Sequence, residues 1–295
     1  MKPAPFDYLK PASLAELLET LSIHGENAKL LAGGQSLMPL LNMRLATPEM
    51  IVDISGLSEL DYIRLDGDVL CIGALTRQYQ LERDPLVKAA VPFLVPVAKL
   101  IGHPQIRHSG TVGGSLVHAD PSAELPAAMC ALEAQFKVLG SDGDRLINAD
   151  DFFISILTAD IQPHEVLAEI RIPAQVNSVW GIREYARRAG DFALAGAAMV
   201  MKLAGGTRCA QARVVLFGVG DRPLRATGAE EYLAGRELSS EAAVDFAAAC
   251  VEGLECDGDI HVTGAYRKHL AKVMAKNAFL DAVTQAKART RGIQA

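Results

Sequence analysis

Hydrophobic and polar positions change period several times along the chain, and each change marks an element. Leu14, Leu17, Leu18 and Leu21 recur at helical spacing behind Ser13 and Glu16, a capping-box pattern. Lys29-Leu30-Leu31-Ala32 ends at Gly33-Gly34, the signature of a buried strand running into a turn. Ser36 opens a helix predicted over 37–45, with Pro39 near its start, where proline is tolerated. A second strand follows at 50–54. Further on, the pattern predicts a strand at 69–72, helices at 76–82, 93–101 and 124–132, and a glycine turn at 110–114. Residues 136–139 and 145–147 form a hairpin around Ser141-Asp142-Gly143-Asp144. A strand at 166–172 closes on Pro173, and 174–178 reads as a linker. Strands at 181–186, 195–203 and 212–218 come next, the last two joined tightly through 204–207. The end is helical, at 228–234, 240–251 and 263–287. The pattern divides the chain into three units, 1–57, 58–175 and 176–295, of an α+β protein.

Composition narrows the classes. Of 295 residues, 50% are hydrophobic and 22% charged, enough apolar surface for a packed core. The net charge is −6 and aromatics are 5%, which argues against nucleic acid as a partner. No apolar run reaches the roughly 20 residues of a membrane span. The N-terminal segment has no signal-peptide core, so a cytoplasmic protein is expected. The five cysteines (Cys71, Cys130, Cys209, Cys250 and Cys256) are scattered, and their spacing fits neither a disulfide framework nor a zinc or iron–sulfur site. No metal site is expected.

The informative feature is a pair of glycine loops, Ala32-Gly33-Gly34-Gln35-Ser36 and Thr111-Val112-Gly113-Gly114-Ser115. Glycine lets the backbone bend sharply and a ligand come close. Successive N–H groups in such turns form anion-binding concavities. Two such loops could grip a pyrophosphate without a lysine. They could also be plain turns, since neither matches a dinucleotide fingerprint or a P-loop. Between the second loop and the next helix, Asp120 and Glu124 are acceptors suited to sugar hydroxyls or an amide; on spacing alone Asp120 or Ser122 is rather a cap for that helix.

Ala32-Gly33-Gly34-Gln35-Ser36-Leu37, then Gly110-Thr111-Val112-Gly113-Gly114-Ser115-Leu116, Ala119-Asp120-Pro121 and Glu124-Leu125-Pro126, resemble the FAD-binding medium subunit of the molybdenum hydroxylases, the family of xanthine dehydrogenase and carbon monoxide dehydrogenase. Arg187-Arg188-Ala189-Gly190-Asp191-Phe192-Ala193 resembles the opening of that family's C-terminal domain. The resemblance implies a p-cresol methylhydroxylase/vanillyl-alcohol oxidase-type FAD-binding fold of two α/β subdomains, followed by a C-terminal antiparallel sheet with helices. It implies noncovalent FAD, with Ala32, Gly33, Gly34, Gln35, Ser36 and Leu37 and with Thr111, Gly113, Gly114 and Ser115 at the pyrophosphate. It places Ile101 near the isoalloxazine, His118, Asp120 and Glu124 as polar neighbours of the cofactor, and Val166 and Leu167 on a strand beside it. One departure is Glu184, where many relatives carry lysine.

In that family no side chain of this subunit is a catalytic acid or base; the flavin carries the chemistry. This chain would be the last station of an electron path that starts at a molybdenum centre. Molybdopterin and two [2Fe–2S] clusters would reside in partners, a large molybdopterin subunit and a small iron–sulfur subunit, in an (αβγ)2 assembly. The substrate of the whole (carbon monoxide, an N-heteroaromatic, an aldehyde or an aromatic CoA ester) would be chosen by the large subunit. Two other readings compete: a stand-alone FAD oxidase or dehydrogenase, and a non-enzymatic nucleotide-binding module.

Overall fold

The computed structural model describes residues 2–292; Met1 and residues 293–295, at the outer ends of the first and last predicted units, lie outside it. Strands β1 (Asp7–Leu9), β2 (Ala28–Leu31) and β3 (Met50–Asp53) form a parallel sheet in the order β1-β3-β2. Helices α1 (Leu14–His24) and α2 (Leu37–Asn42) are its crossovers. Half of the capping box forms: Ser13 Oγ accepts from the Glu16 amide at 3.2 Å, while the Glu16 carboxylate reaches one residue further back and accepts from the Ala12 amide at 2.7 Å. α2 stops short of the predicted 37–45. Arg44 turns left-handed (φ 58°), and the Leu45 and Ala46 amides fold back onto the Leu40 carbonyl.

The second sheet is antiparallel. It contains β4 (Ile63–Asp66), β5 (Val69–Gly73), β6 (Gln135–Gly140), β7 (Arg145–Asn148) and, after the small hairpin β8 (Phe153–Ser155) and β9 (Thr158–Ala159), β10 (Glu165–Pro173). The order β4-β5-β10-β6-β7 puts β10 in the middle, buried from Glu165 to Ile170. The β10–β6 register slips between Leu167 and Glu169, a bulge of the sort that re-aims side chains beside sites. Helices α3 (Gln80–Arg83), α4 (Pro85–Ala90), α5 (Leu94–Leu100), α6 (Pro104–Ser109), α7 (Val112–His118), α8 (Glu124–Ala131) and α9 (Ala149–Phe152) pack around it. Two expectations are corrected. Only the end of 76–82 is helical, because the backbone of Thr76 and Gln78 is spent on a bridge: Gln78 N donates to Gly110 O (3.0 Å) and Val112 N to Thr76 O (2.9 Å). The expected glycine turn at 110–114 is the N-terminus of α7. Every residue of α8 is buried, making it the central helix.

Strands β11 (Ser178–Tyr185), β12 (Ala195–Gly205), β13 (Arg208–Phe217) and β14 (Leu224–Arg225) form a four-stranded antiparallel sheet in sequence order. Helices α10 (Thr227–Leu233), α11 (Ala243–Cys250) and α12 (Gly264–Thr290) cover one face. On the other face Ile182, Ala198, Val200, Val215 and Phe217 join the core of the second sheet and α8. The expected linker 174–178 is stitched down: Ala174 N and Gln175 N donate to Asp68 O and Ala90 O, and Ser178 already belongs to β11. All five cysteines are free, four of them buried. Among the described residues no helix is long and apolar enough to cross a membrane, and no cluster of His, Cys, Asp and Glu could hold a metal ion.

Candidate functional site

A cavity of 520 Å³ lies where the three sheets meet. Its wall contains all sixteen residues expected to contact a cofactor: Ala32 to Leu37, Ile101, Thr111, Gly113, Gly114, Ser115, His118, Asp120, Glu124, Val166 and Leu167.

The two glycine loops are adjacent but unlike. In the first, leaving β2 for α2, the amides of Gly33, Gly34, Gln35, Ser36 and Leu37 find no acceptor among the described residues. Five successive amides left free on a cavity wall form a concavity suited to an anion. Ser36 makes no side-chain cap bond, which leaves its hydroxyl for the same task. Gly34 has φ +71°, a conformation that suits glycine. A Cβ on Gly33 would collide with the Ser109 carbonyl oxygen and lie 2.8 Å from Gly110 Cα, so this glycine is where one loop touches the other.

In the second loop the donors are already engaged. Val112 N and Gly113 N donate to Thr76 O and Ala74 O, and Gly114 N donates to Thr111 Oγ1, the N-cap of α7. Its contribution to the cavity is therefore shape, the Thr111 and Ser115 hydroxyls and the positive end of a helix.

The remaining walls are held by residues that the sequence reading passed over. Arg107 donates to Ile101 O (2.8 Å) and Gly102 O (3.1 Å) while paired to Glu82 at 2.6 Å, which fixes the segment carrying Ile101. Arg145 forks onto Glu165 with two 2.8 Å bonds, just before Val166 and Leu167 and their bulge. Gln78 is 5% exposed, and its Oε1 is buried in the cavity wall without a partner. Such an orphaned acceptor suits a ligand N–H or O–H. At the mouth stand Gly190, Asp191 and Phe192, the last 62% exposed. The sequence flagged this stretch only by resemblance. Gln78 and Arg107 carry no local signal, since their roles come from a bridge and a turn that only the fold creates.

The polar side is acidic. Asp120 does not cap α8; its carboxylate accepts from Ser122 N at 2.8 Å, and the cap position is Ala123, which has no side-chain bond to give. Glu124 is 8% exposed, and burial pushes its carboxyl up to about 7. Burial lowers the His118 imidazole below its usual range. His108 is absent from the cavity wall; it stacks on Tyr79 at 4.5 Å and its Nδ1 bonds Pro104 O.

Free amides beside three hydroxyls, an unpaired amide oxygen and an apolar remainder fit the pyrophosphate, sugar and ring system of a dinucleotide cofactor. Comparison with known proteins agrees. The family described as the FAD binding domain in molybdopterin dehydrogenase matches residues 4–175, and the CO dehydrogenase flavoprotein C-terminal domain matches 180–282. The chain is 36% identical to the caffeine dehydrogenase subunit beta of Pseudomonas sp. (strain CBB1) over 96% of each. It is 37% identical to the carbon monoxide dehydrogenase medium chain of Hydrogenophaga pseudoflava, over 94% of this chain and 97% of that one. The crystal structure of quinoline 2-oxidoreductase from Pseudomonas putida 86 superposes with a TM-score of 0.93 at 38% identity, covering 97% of this chain and all of that one.

Proposed function

The chain belongs to the FAD-binding medium subunits of the molybdenum hydroxylases, and from that premise we propose that it relays electrons from the [2Fe–2S] clusters of a small partner subunit, through FAD in the 520 Å³ cavity, to an external acceptor. FAD supplies the ability to take electrons and release them. The chain's own residues bind and orient it. The row of free amides from Gly33 to Leu37 carries the reading, because it gives a pyrophosphate its donors while leaving the second loop to close over it. The Ser36, Thr111 and Ser115 hydroxyls add polar contacts. Ile101, held by Arg107, would pack against the ring system, and Gln78 Oε1 would accept from a cofactor N–H or O–H. Val166 and Leu167 line the side where the bulge bends β10.

The assembly includes a large molybdopterin subunit and a small iron–sulfur subunit as (αβγ)2. Reduced thiols fit a cytoplasmic setting. The working units are 1–57 and 58–175, which would clamp FAD between them, and 176–295, whose β11–β12 connection supplies Asp191 and Phe192.

The test is the visible spectrum of the purified full chain. Flavin bands at about 380 and 450 nm are expected, and the protein should co-purify with its two partners. A colourless protein that takes up no added FAD would sink the cofactor assignment. Reduction of bound FAD by a small organic substrate, with no partner present, would sink the subunit assignment.

A further inference from the structure

The two glycine loops carry no basic side chain, yet the pyrophosphate they are shaped for is an anion. The rest of the cavity wall deepens the shortfall. Its charged side chains are Lys29, Asp120, Glu124, Glu165 and Asp191, and among the described residues only Glu165 of these acids is matched by an arginine, Arg145. Lys29 is exposed, so water and salt screen its charge.

A cation reaches the place where the loops touch from a third segment. Arg77 lies opposite Thr111 in an antiparallel bridge, between the bonds from Gln78 N to Gly110 O and from Val112 N to Thr76 O. Its own amide donates to Gln80 Oε1 at 2.7 Å. Its guanidinium Nη1 donates to the Ser109 carbonyl oxygen. That oxygen is the atom a Cβ on Gly33 would strike. One carbonyl therefore separates the guanidinium from the first residue of the anion cradle.

Among the described residues no carboxylate takes up the Arg77 charge. Glu82 is bound to Arg107 at 2.6 Å, and Asp84 caps α4 through Leu86 N and Val87 N. Arg77 is half-buried, where a charge is screened less than on the open surface and is ordinarily paired.

We propose that Arg77 is the counter-charge of the cofactor's pyrophosphate, acting from behind the second loop: it holds Ser109 O against Gly33, and its unneutralised positive charge offsets the anion seated in the cradle. The proposal rests on the cavity being the FAD site and adds the cation that the loops lack. Arg77 is a positioning residue in this role. The free amides and hydroxyls touch the cofactor; the guanidinium sets the potential in which they do so.

The test compares FAD affinity of the purified full chain and two variants by flavin-fluorescence titration, at about 20 mM and about 1 M salt. Arg77→Gln keeps an amide donor and removes the charge; Arg77→Lys keeps the charge. At low salt Arg77→Gln should bind FAD about tenfold more weakly than the wild type, and Arg77→Lys within about threefold of it. At high salt the gap between wild type and Arg77→Gln should shrink to less than about threefold, because salt screens a charge effect and leaves a packing effect in place. The same gap at both salts would reduce Arg77 to a structural clamp and overturn the proposal. So would Arg77→Lys binding as poorly as Arg77→Gln. If Arg77→Gln does not fold, the wild type and Arg77→Lys decide: both should lose FAD affinity as salt rises, and an affinity that is flat or rises would overturn the counter-charge. A wild type that takes up no FAD overturns the cofactor reading instead. ADP, which carries the pyrophosphate without the flavin, then serves as the probe in the same comparison, read as the rise in thermal midpoint.

Discussion

Gly33 and Gly34 are neighbours with different obligations. Gly34 holds a positive φ, so Gly34→Ala should cost about 1 kcal/mol by chemical denaturation and reshape the cradle. Gly33 is confined by the backbone of Ser109 and Gly110, so Gly33→Val must push the two loops apart. The purified variant should carry no FAD, read as the ratio of flavin to protein absorbance; normal occupancy would show that loop contact is dispensable. Ser36 and Thr111 separate binding from folding. Ser36→Ala should weaken FAD about tenfold by titration at an unchanged thermal midpoint, because the hydroxyl has no partner among the described residues. Thr111→Ala should lower the stability itself by about 1 kcal/mol, because it removes the α7 cap. The sequence showed both glycine pairs and both hydroxyls. It could not show which amides were free, because that depends on carbonyls at Ala74 and Thr76, far away in the chain.

At the scale of elements, arginine forks set the angles of the cavity walls. Arg145 joins β7 to the start of β10 through Glu165 and also bonds Asp160 at 2.8 Å. The Arg145 bonds hold the Glu165 carboxyl below its ordinary range. A depressed value means stability that is present above the usual carboxylate range and lost as pH falls through the folded value. Arg145→Ala should therefore lower the thermal midpoint at neutral pH and flatten the acid side of the profile; a variant with the wild-type acid slope would count against the fork. Local pattern found most elements, including the capped α1 and the long α12. It failed where the backbone bonds across the structure. Residues 76–79 open the segment expected to be helical, yet their carbonyls and amides serve the segment before α7. Likewise α2 loses its last turn to Arg44, whose left-handed geometry no periodicity announces.

In the whole molecule, the C-terminal sheet is apolar on both faces, one against α8 and the other against α12. Changes of period and Pro173 suggest a division into units, but the depth of this contact was not legible, because alternation along a strand does not say what covers each side. Arg267 on α12 gathers the loops at the sheet's end, donating to Leu194 O (2.8 Å), Gly218 O (2.7 Å) and Asp257 O (3.1 Å). Leu194 follows the mouth segment Asp191-Phe192, so Arg267→Ala should leave FAD bound while exposing the flavin more to iodide quenching. Unchanged quenching would show that the mouth is held from elsewhere.

The contact of Gly33 with Ser109 also has a kinetic meaning. The residues are far apart in the chain, and the intervening segment supplies β3, β4, β5 and the helices up to α6. Closing so long a stretch is entropically slow and comes after local structure has formed. The anion cradle is thus completed late in folding, and a chain emerging from synthesis cannot grip its cofactor until more than a third of its length has settled.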